Sequence, residues 1–405
     1  VTVPIVDRLS ELVSIPSITG SEREIQTVMA RMMEEIGLSV ERLEPDLAVI
    51  RDDPGFPGFE MPREDLPVVV GRFDTGLPGP KVMLSGHVDV VPPGALGAWT
   101  NPPFEPVVRD GFLLGRGSCD MKGGLVSILE AARAVVESEA DLCGELIVLT
   151  VPSEEDGGSG TLAAVRSGVT ADLAVIAEPT DRKIVVAHAG AITFTLEIPG
   201  KAAHAATRTE GVSALDKLVL ILEALSADEE ARNTSESDPL MKELGLPYPT
   251  IIGKVSGGEW ASNVLDLLVV EGRYGVRVDQ SATQAAADLE RALGEVWASD
   301  PFLRGHPMRL ELTGARFEPS RLSPDHVLPV TLAAAARRVT GAEPPRVGAP
   351  YGADMRLLVD AGIPCVMYGP GDIRVAHAAD ENVSLTDVEV CARVLTDWIC
   401  ETLSR

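Results

Sequence analysis

The strongest constraint on this chain is that its apolar runs end on chemistry. Residues 81–85 form a short apolar run, and His87, Val88 and Asp89 follow it. Residues 145–151 form a continuous apolar run, and Ser153-Glu154-Glu155-Asp156-Gly157-Gly158 follows. Residues 171–177 form a third, with Glu178 and Pro179 next. Residues 363–368 form a fourth, leading into Gly369-Pro370-Gly371-Asp372 and then His377. Helical patterns lie between them. Leu125, Ile128, Leu129, Ala132, Val135 and Val136 recur on one face, and residues 327–339 and 385–403 also read as helices. Buried strands alternating with helices predict an α/β fold, a mostly parallel sheet flanked by helices on both faces. Sites in such sheets form beyond the carboxyl ends of the strands, where these residues fall.

The flanking segments carry less information. A short helix is predicted over 5–14. A second begins at Ser21, which stands three residues before Glu24 in a capping-box spacing, and Gly37 ends it. Residues 44–66 are rich in Pro, Gly, Asp and Glu and predict a surface loop. From residue 190 the pattern changes to a strand at 193–198, a helix at 214–225, strands at 250–255 and 264–278, a helix at 282–297 and a strand at 308–313. That order predicts an inserted α+β, ferredoxin-like domain, one open sheet with two helices on one face. The expected organisation is a catalytic domain in two parts, 1–189 and 315–405, interrupted by an insertion at 190–314.

Composition excludes several functions. The 405 residues carry 35 basic and 61 acidic side chains, a formal charge of -26. Nucleic acid and anionic membrane surfaces are therefore not expected partners. No apolar run approaches the roughly 20 residues of a membrane helix. The first residues lack a basic stretch, so no signal peptide is expected. The five cysteines, Cys119, Cys143, Cys365, Cys391 and Cys400, contain no close pair. A disulfide framework or thiolate zinc site is not expected, and a cytoplasmic location is.

The candidates are then His87, Asp89, Asp120, Glu154, Glu155, Glu178 and His377. Asp120 lies in Gly115-Arg116-Gly117-Ser118-Cys119-Asp120-Met121-Lys122-Gly123-Gly124, at or just before a helix N-terminus. Two histidines and several carboxylates without a thiolate suit zinc, cobalt or manganese. Their number suits a two-metal site with a bridging carboxylate, which polarises a carbonyl and deprotonates a water. Asp89 can hold the second ring nitrogen of His87. Glu154 and Glu155 are neighbours whose side chains diverge, so one can bind metal while the other takes the water proton. Each residue alone has an ordinary structural role, as a satisfied histidine, a solvated glutamate or a helix cap. Their shared position at strand ends is what points to a site.

Taken in order, these motifs with Lys201-Ala202-Ala203-His204 and Tyr368-Gly369-Pro370-Gly371 strongly resemble one family over nearly the whole chain. It is the acetylornithine deacetylase, succinyl-diaminopimelate desuccinylase, aminoacylase and glutamate carboxypeptidase family of dinuclear zinc amidohydrolases. The resemblance implies a zinc-exopeptidase-like catalytic domain and an inserted lid that also forms a homodimer. It implies two divalent metals per chain, zinc with cobalt or manganese as alternatives. Asp120 would bridge them, His87 and Glu178 would complete one site, and Glu155 and His377 the other. Glu154 would be the general base and Asp89 would orient His87. His204 would reach the partner subunit's site and help hold the carbonyl oxyanion. Asn263 and Arg277, with Arg273 as a rival to the arginine, would receive the substrate's carboxylate. Glu rather than Asp at 178 is similar to the deacylases and glutamate carboxypeptidases. The segment Ala203-His204-Ala205-Ala206-Thr207-Arg208-Thr209-Glu210-Gly211 looks closer to deacylases, formylaminopyrimidine deformylase-like members included. The implied function is hydrolysis of the amide in a small N-acyl amino acid or N-acyl amine. The alternatives are a dipeptidase or carboxypeptidase acting on a short peptide by the same chemistry, and a metal-free binding protein.

Overall fold

The computed structural model describes residues 4–405. The chain divides into two compact units. One comprises the described residues up to Val186 together with Arg321–Val347 and Ala353–Arg405. The other comprises Ala187–Ser320 and Gly348–Gly352.

The first unit is built on a mixed sheet. Its strands are β1 (Ser39–Leu43), β2 (Val68–Asp74), β3 (Lys81–His87), β4 (Glu145–Val151), β5 (Leu173–Ile176), β6 (Ile184–His188), β7 (Ser320–Arg321), β8 (Arg346–Ala349) and β9 (Cys365–Met367). They are ordered β1-β2-β4-β3-β5-β9-β6-β7, with β8 pairing β6. The central strands β4, β3, β5 and β9 run parallel. The edge pairs β1–β2 and β2–β4 are antiparallel. Residues 82–87 of β3 and 146–151 of β4 are buried without alternation. That is why both read as continuous apolar runs: each is covered on two faces. Gly123–Val136 forms a helix, buried along most of its length, that packs on β3 and on the last helix, Leu385–Thr402.

Two local expectations fail. The second helix spans Arg23–Glu35 and its N-cap is Glu22, so the Ser21–Glu24 capping box does not form. Glu22 turns inward instead, accepting from the Gly20 N–H at 2.8 Å and facing Arg63 at 3.3 Å. Residues 44–66 are more than a loop. They contain the helix Leu47–Arg51, capped by Asp46, and Ile50 and Leu66 pack with Leu162 and Ala163.

In the second unit, the strands Gly190–Pro199, Thr250–Gly257, Leu267–Val276 and Arg309–Phe317 form an antiparallel sheet. Thr250–Gly257 and Arg309–Phe317 lie at its edges. Ile192, Phe194, Leu196 and Ile198 alternate onto one face and form a core with Leu218, Ile221 and Leu225 of the helix Ala214–Thr234. Leu289 and Leu293 of the helix Ala282–Ser299 join the same core.

The parallel strands deliver their carboxyl ends to one edge of the first unit. Ala177, which ends the β5 run, is clamped there. A Cβ on Gly124 would meet its carbonyl oxygen at 2.0 Å, and one on Gly369 would meet it at 2.3 Å. Neither glycine has a positive φ, so the constraint is space alone. Gly124→Ala is expected to cost about 1–3 kcal/mol through this overlap, read as a lower urea midpoint with an unchanged slope.

Candidate active site

Each candidate side chain is set by a strand end or by the turn that follows. His87 closes β3 and is paired in register with Val151, the last residue of β4. Ser153 then takes a left-handed φ of 69°, a conformation that costs a non-glycine residue about 1–2 kcal/mol. Its hydroxyl donates to Asp156 and its carbonyl accepts from the Gly158 N–H, which holds the turn that presents Glu154 and Glu155. Glu178 follows β5 after one residue, Ala177.

The structure brings six of these groups together. His87 Nε2 lies 3.0 Å from Asp120 Oδ1 and 3.9 Å from Glu178 Oε2. Asp120 Oδ2 lies 3.5 Å from His377 Nε2, which is itself 3.1 Å from Glu155. Asp120 therefore turns one oxygen toward each histidine. Two overlapping triplets could each hold a cation: His87, Glu154 and Glu178, and His87, Asp120 and Glu155. Asp120 stands three residues ahead of the helix Gly123–Val136 in non-helical backbone (φ -116°, ψ 96°). It is a turn residue, not a cap.

Asp89 does more than its sequence position suggests. The His87 ring nitrogen Nδ1 lies 2.9 Å from the Asp89 backbone carbonyl and 3.6 Å from its carboxylate. The carboxylate accepts from the backbone N–H groups of Glu154 and Glu155 at 3.1 and 3.2 Å, and from Thr19 Oγ1 at 3.0 Å. One buried aspartate thus ties the end of β3 to the two glutamates after β4. Beneath it the fully buried Arg63 bridges Glu22 and Asp156 at 3.3 and 3.0 Å. Sequence patterning gave no sign of Arg63, because its segment reads as a polar loop.

The electrostatics are those of a site with excess negative charge. Burial, with the charge of Glu178 next, raises the proton affinity of Glu154 well above that of an ordinary glutamate. Burial does the same to Glu178 and, less strongly, to Glu155. Burial alone would lower the His377 imidazole, but hydrogen bonds to Asp120 and Glu155 push it up to about 11. His87 is opposed by burial in the same way and raised by Asp120 and Asp89. Asp120 is held below the usual range against burial by the two histidines. Glu178 Oε1 is buried with no hydrogen-bond partner among the described residues. An orphaned carboxylate oxygen amid several acids and two imidazoles fits divalent cations, which would supply the missing positive charge.

The remaining candidates lie in the second unit. His204 is bridged in antiparallel fashion to Asn263, and its Nδ1 accepts from the Ala206 N–H at 3.1 Å. The Arg277 guanidinium is bonded to Asp279 at 3.1 Å and to Ser235 Oγ at 3.0 Å. Arg273 sits in the strand Leu267–Val276, opposite Ile251 and Thr193. His326, which has no sequence motif, caps the helix Val327–Thr340 by accepting from the Leu328 N–H.

Comparison with known proteins gives the same direction. The family model described as peptidase family M20/M25/M40 matches residues 83–401. The chain is 30% identical to an N-formyl-4-amino-5-aminomethyl-2-methylpyrimidine deformylase from Bacillus subtilis, an alignment covering 94% of this chain and 89% of that one. It is 28% identical to a succinyl-diaminopimelate desuccinylase from Methylorubrum extorquens, covering 93% of each. It shares its fold with an M20 family metallo-carboxypeptidase from Sulfolobus solfataricus at a TM-score of 0.76, 16% identity and 99% of each chain. The chain belongs to peptidase family M20/M25/M40 and is a metal-dependent amidohydrolase.

Proposed function

We propose that this enzyme is a deacylase, removing a small acyl group from the nitrogen of an N-acyl amino acid or N-acyl amine. The observation that carries the chemistry is the Asp120 carboxylate set between His87 and His377 with Glu154 buried beside Glu178. The deacylase reading is supported by the two relatives of known name that align over nearly the whole chain. The peptidase-like structure is far more distant in sequence and speaks to the fold alone.

His87, Asp120 and Glu178 would hold one divalent metal, and Asp120, Glu155 and His377 the other, zinc in the first instance. The pair would polarise the scissile carbonyl and acidify a water. Glu154 accepts the proton of the attacking water at its carboxylate and returns it to the leaving nitrogen. Burial suits it to that task by raising its proton affinity above that of an ordinary glutamate. Asp89 fixes Glu154 and Glu155 through their backbone N–H groups. His204 accepts at Nδ1, so its neutral ring carries the proton at Nε2. That N–H is the donor assigned to the carbonyl oxyanion.

The second unit is read as a lid that pairs two subunits. Leu215, Val219 and Leu222 are exposed on one face of the helix Ala214–Thr234, and Ile251 and Val255 are exposed on the edge strand Thr250–Gly257. An apolar helix face beside an open strand edge calls for cover. His204 would then serve the partner subunit. Asn263 and one arginine would receive the substrate's carboxylate. Arg277 can do so by exchanging Asp279 for it; Arg273 is the alternative.

Glu154→Gln is expected to retain two metals per chain by elemental analysis and to lose about 100- to 10,000-fold in kcat. Normal turnover would remove Glu154 from the role. A panel of N-formyl, N-acetyl and N-succinyl amines against dipeptides decides the class, and faster dipeptide cleavage would favour the peptidase. Mixing Glu154→Ala and His204→Ala subunits should restore part of the activity that neither variant shows alone. No recovery in verified mixed dimers would place His204 in its own subunit's site. Finally, His377, pushed up to about 11, carries a proton at neutral pH when no cation is present, and Glu178 holds a proton more tightly than an ordinary glutamate, so metal binding must displace protons. Calorimetry in buffers of different ionisation enthalpy should report net proton release and affinity rising with pH, whereas buffer-independent heats would contradict the charge arrangement.

A further inference from the structure

We propose that Glu381 is the positioning residue that holds the Asp120 carboxylate between the two histidines. The inference rests on the metal reading above and deepens it. Glu381 is 0% exposed. Its Oε1 accepts from the backbone N–H groups of Cys119 and Asp120, each at 2.9 Å. Its Oε2 accepts from the Gly117 N–H at 3.0 Å and from Arg116 Nη1 at 2.6 Å. One side chain therefore receives four donors from five consecutive residues, and the last of them is Asp120 itself.

The turn needs such an acceptor. Gly117 has a left-handed φ of 78°, and Asp120 and Met121 depart from helical geometry. Neither a helix nor a sheet ladder takes the N–H groups of Gly117, Cys119 and Asp120, and buried donors without partners are strongly disfavoured. A carboxylate satisfies three of them at once and balances the buried Arg116 charge. The backbone reinforces the link. The Gly115 N–H donates to the Glu381 carbonyl at 2.8 Å, and Asn382–Ser384 pairs antiparallel with Phe112–Leu114.

The same segment carries His377. Both His377 and Asp380 are left-handed, at φ 59° and 57°, a conformation that persists where surroundings fix it. Asp380 accepts from the N–H and hydroxyl of Thr100, and Glu381 follows it into the buried cradle. Glu381 thus anchors the two chain segments whose side chains, Asp120 and His377, meet at 3.5 Å. It touches neither imidazole, and it acts by fixing backbone.

The test compares Glu381→Gln, which puts an NH2 donor among N–H donors, with Glu381→Asp, which keeps the charge and shortens the reach. Zinc affinity is measured by chelator competition, kcat and KM at saturating zinc, and Tm of the metal-free protein. Trp398→Phe, a core change in the last helix, serves as the control for general destabilisation. Glu381→Gln should weaken zinc at both sites together by about 10- to 100-fold, lower kcat and hold KM, with Glu381→Asp recovering part of the loss. Wild-type zinc affinity in Glu381→Gln would overturn the proposal, as would an equal affinity loss in Trp398→Phe. Should Glu381→Gln not fold, Glu381→Asp decides: weakened zinc supports the role and wild-type zinc overturns it. A wild-type protein that takes up no zinc would instead remove the metal reading on which the inference stands.

Discussion

The structure depends on a concentration of buried carboxylates at one edge of a parallel sheet. Asp89, Asp120, Glu154 and Glu178 are all buried, with two histidines among them and Arg63 beneath Asp89 to offset the charge. Water cannot solvate these groups there, and burying ionised carboxylates without partners is prohibitive. The chain answers in two ways. The His87 imidazole first, then the Glu154 N–H and the Arg63 charge, hold Asp89 below the usual carboxylate range against the burial that opposes it. Glu154, Glu155 and Glu178 keep raised proton affinities instead, while the two histidines hold Asp120 low. The fold assembles the site without relaxing it.

Rigidity comes from the way the segments are joined. Four parallel strands fix where the chain emerges; His87 ends one of them, and the other functional side chains of the first unit sit beyond the strands. Asp89 joins the turn after β3 to that after β4. Glu381 joins the Asp120 turn to the His377 segment. Arg63 joins Glu22 to Asp156 underneath. In each case a charged, buried side chain reaches across a large sequence separation and pairs with complementary donors or acceptors. Such pairs are poor contributors to stability compared with apolar packing, but they specify position. Here position is what the chemistry needs.

The sequence made the pattern of the first unit legible because strands buried on both faces leave an unmistakable apolar run. A titratable side chain soon after such a run is equally visible, as His87, Glu154, Glu155 and Glu178 show. The supporting side chains were hidden for physical reasons. Arg63 lies in a segment of prolines, glycines and charges, where a buried arginine looks like any exposed one. Glu381 follows His377 in a polar stretch, and its partners are backbone groups that no pattern of residue types displays. The Ser21 capping box failed because Glu22, the next residue, takes the N-cap position and its side chain turns to Arg63. Asp89 was expected to act on the His87 ring, and its carbonyl and carboxylate lie 2.9 and 3.6 Å from Nδ1, but its hydrogen bonds to the glutamate turn were not visible in the sequence. Local spacing shows which residues can do chemistry. It does not show what holds them.

The central claim is that these residues form one two-metal centre with Asp120 shared between the metals. Anomalous diffraction from zinc-loaded crystals tests it most directly. The account predicts two peaks in the pocket, one against His87 and Glu178 and the other against Glu155 and His377, with Asp120 touching both and Glu154 bound to neither. A single peak, or a metal held by Glu154 in place of Asp120, would contradict it.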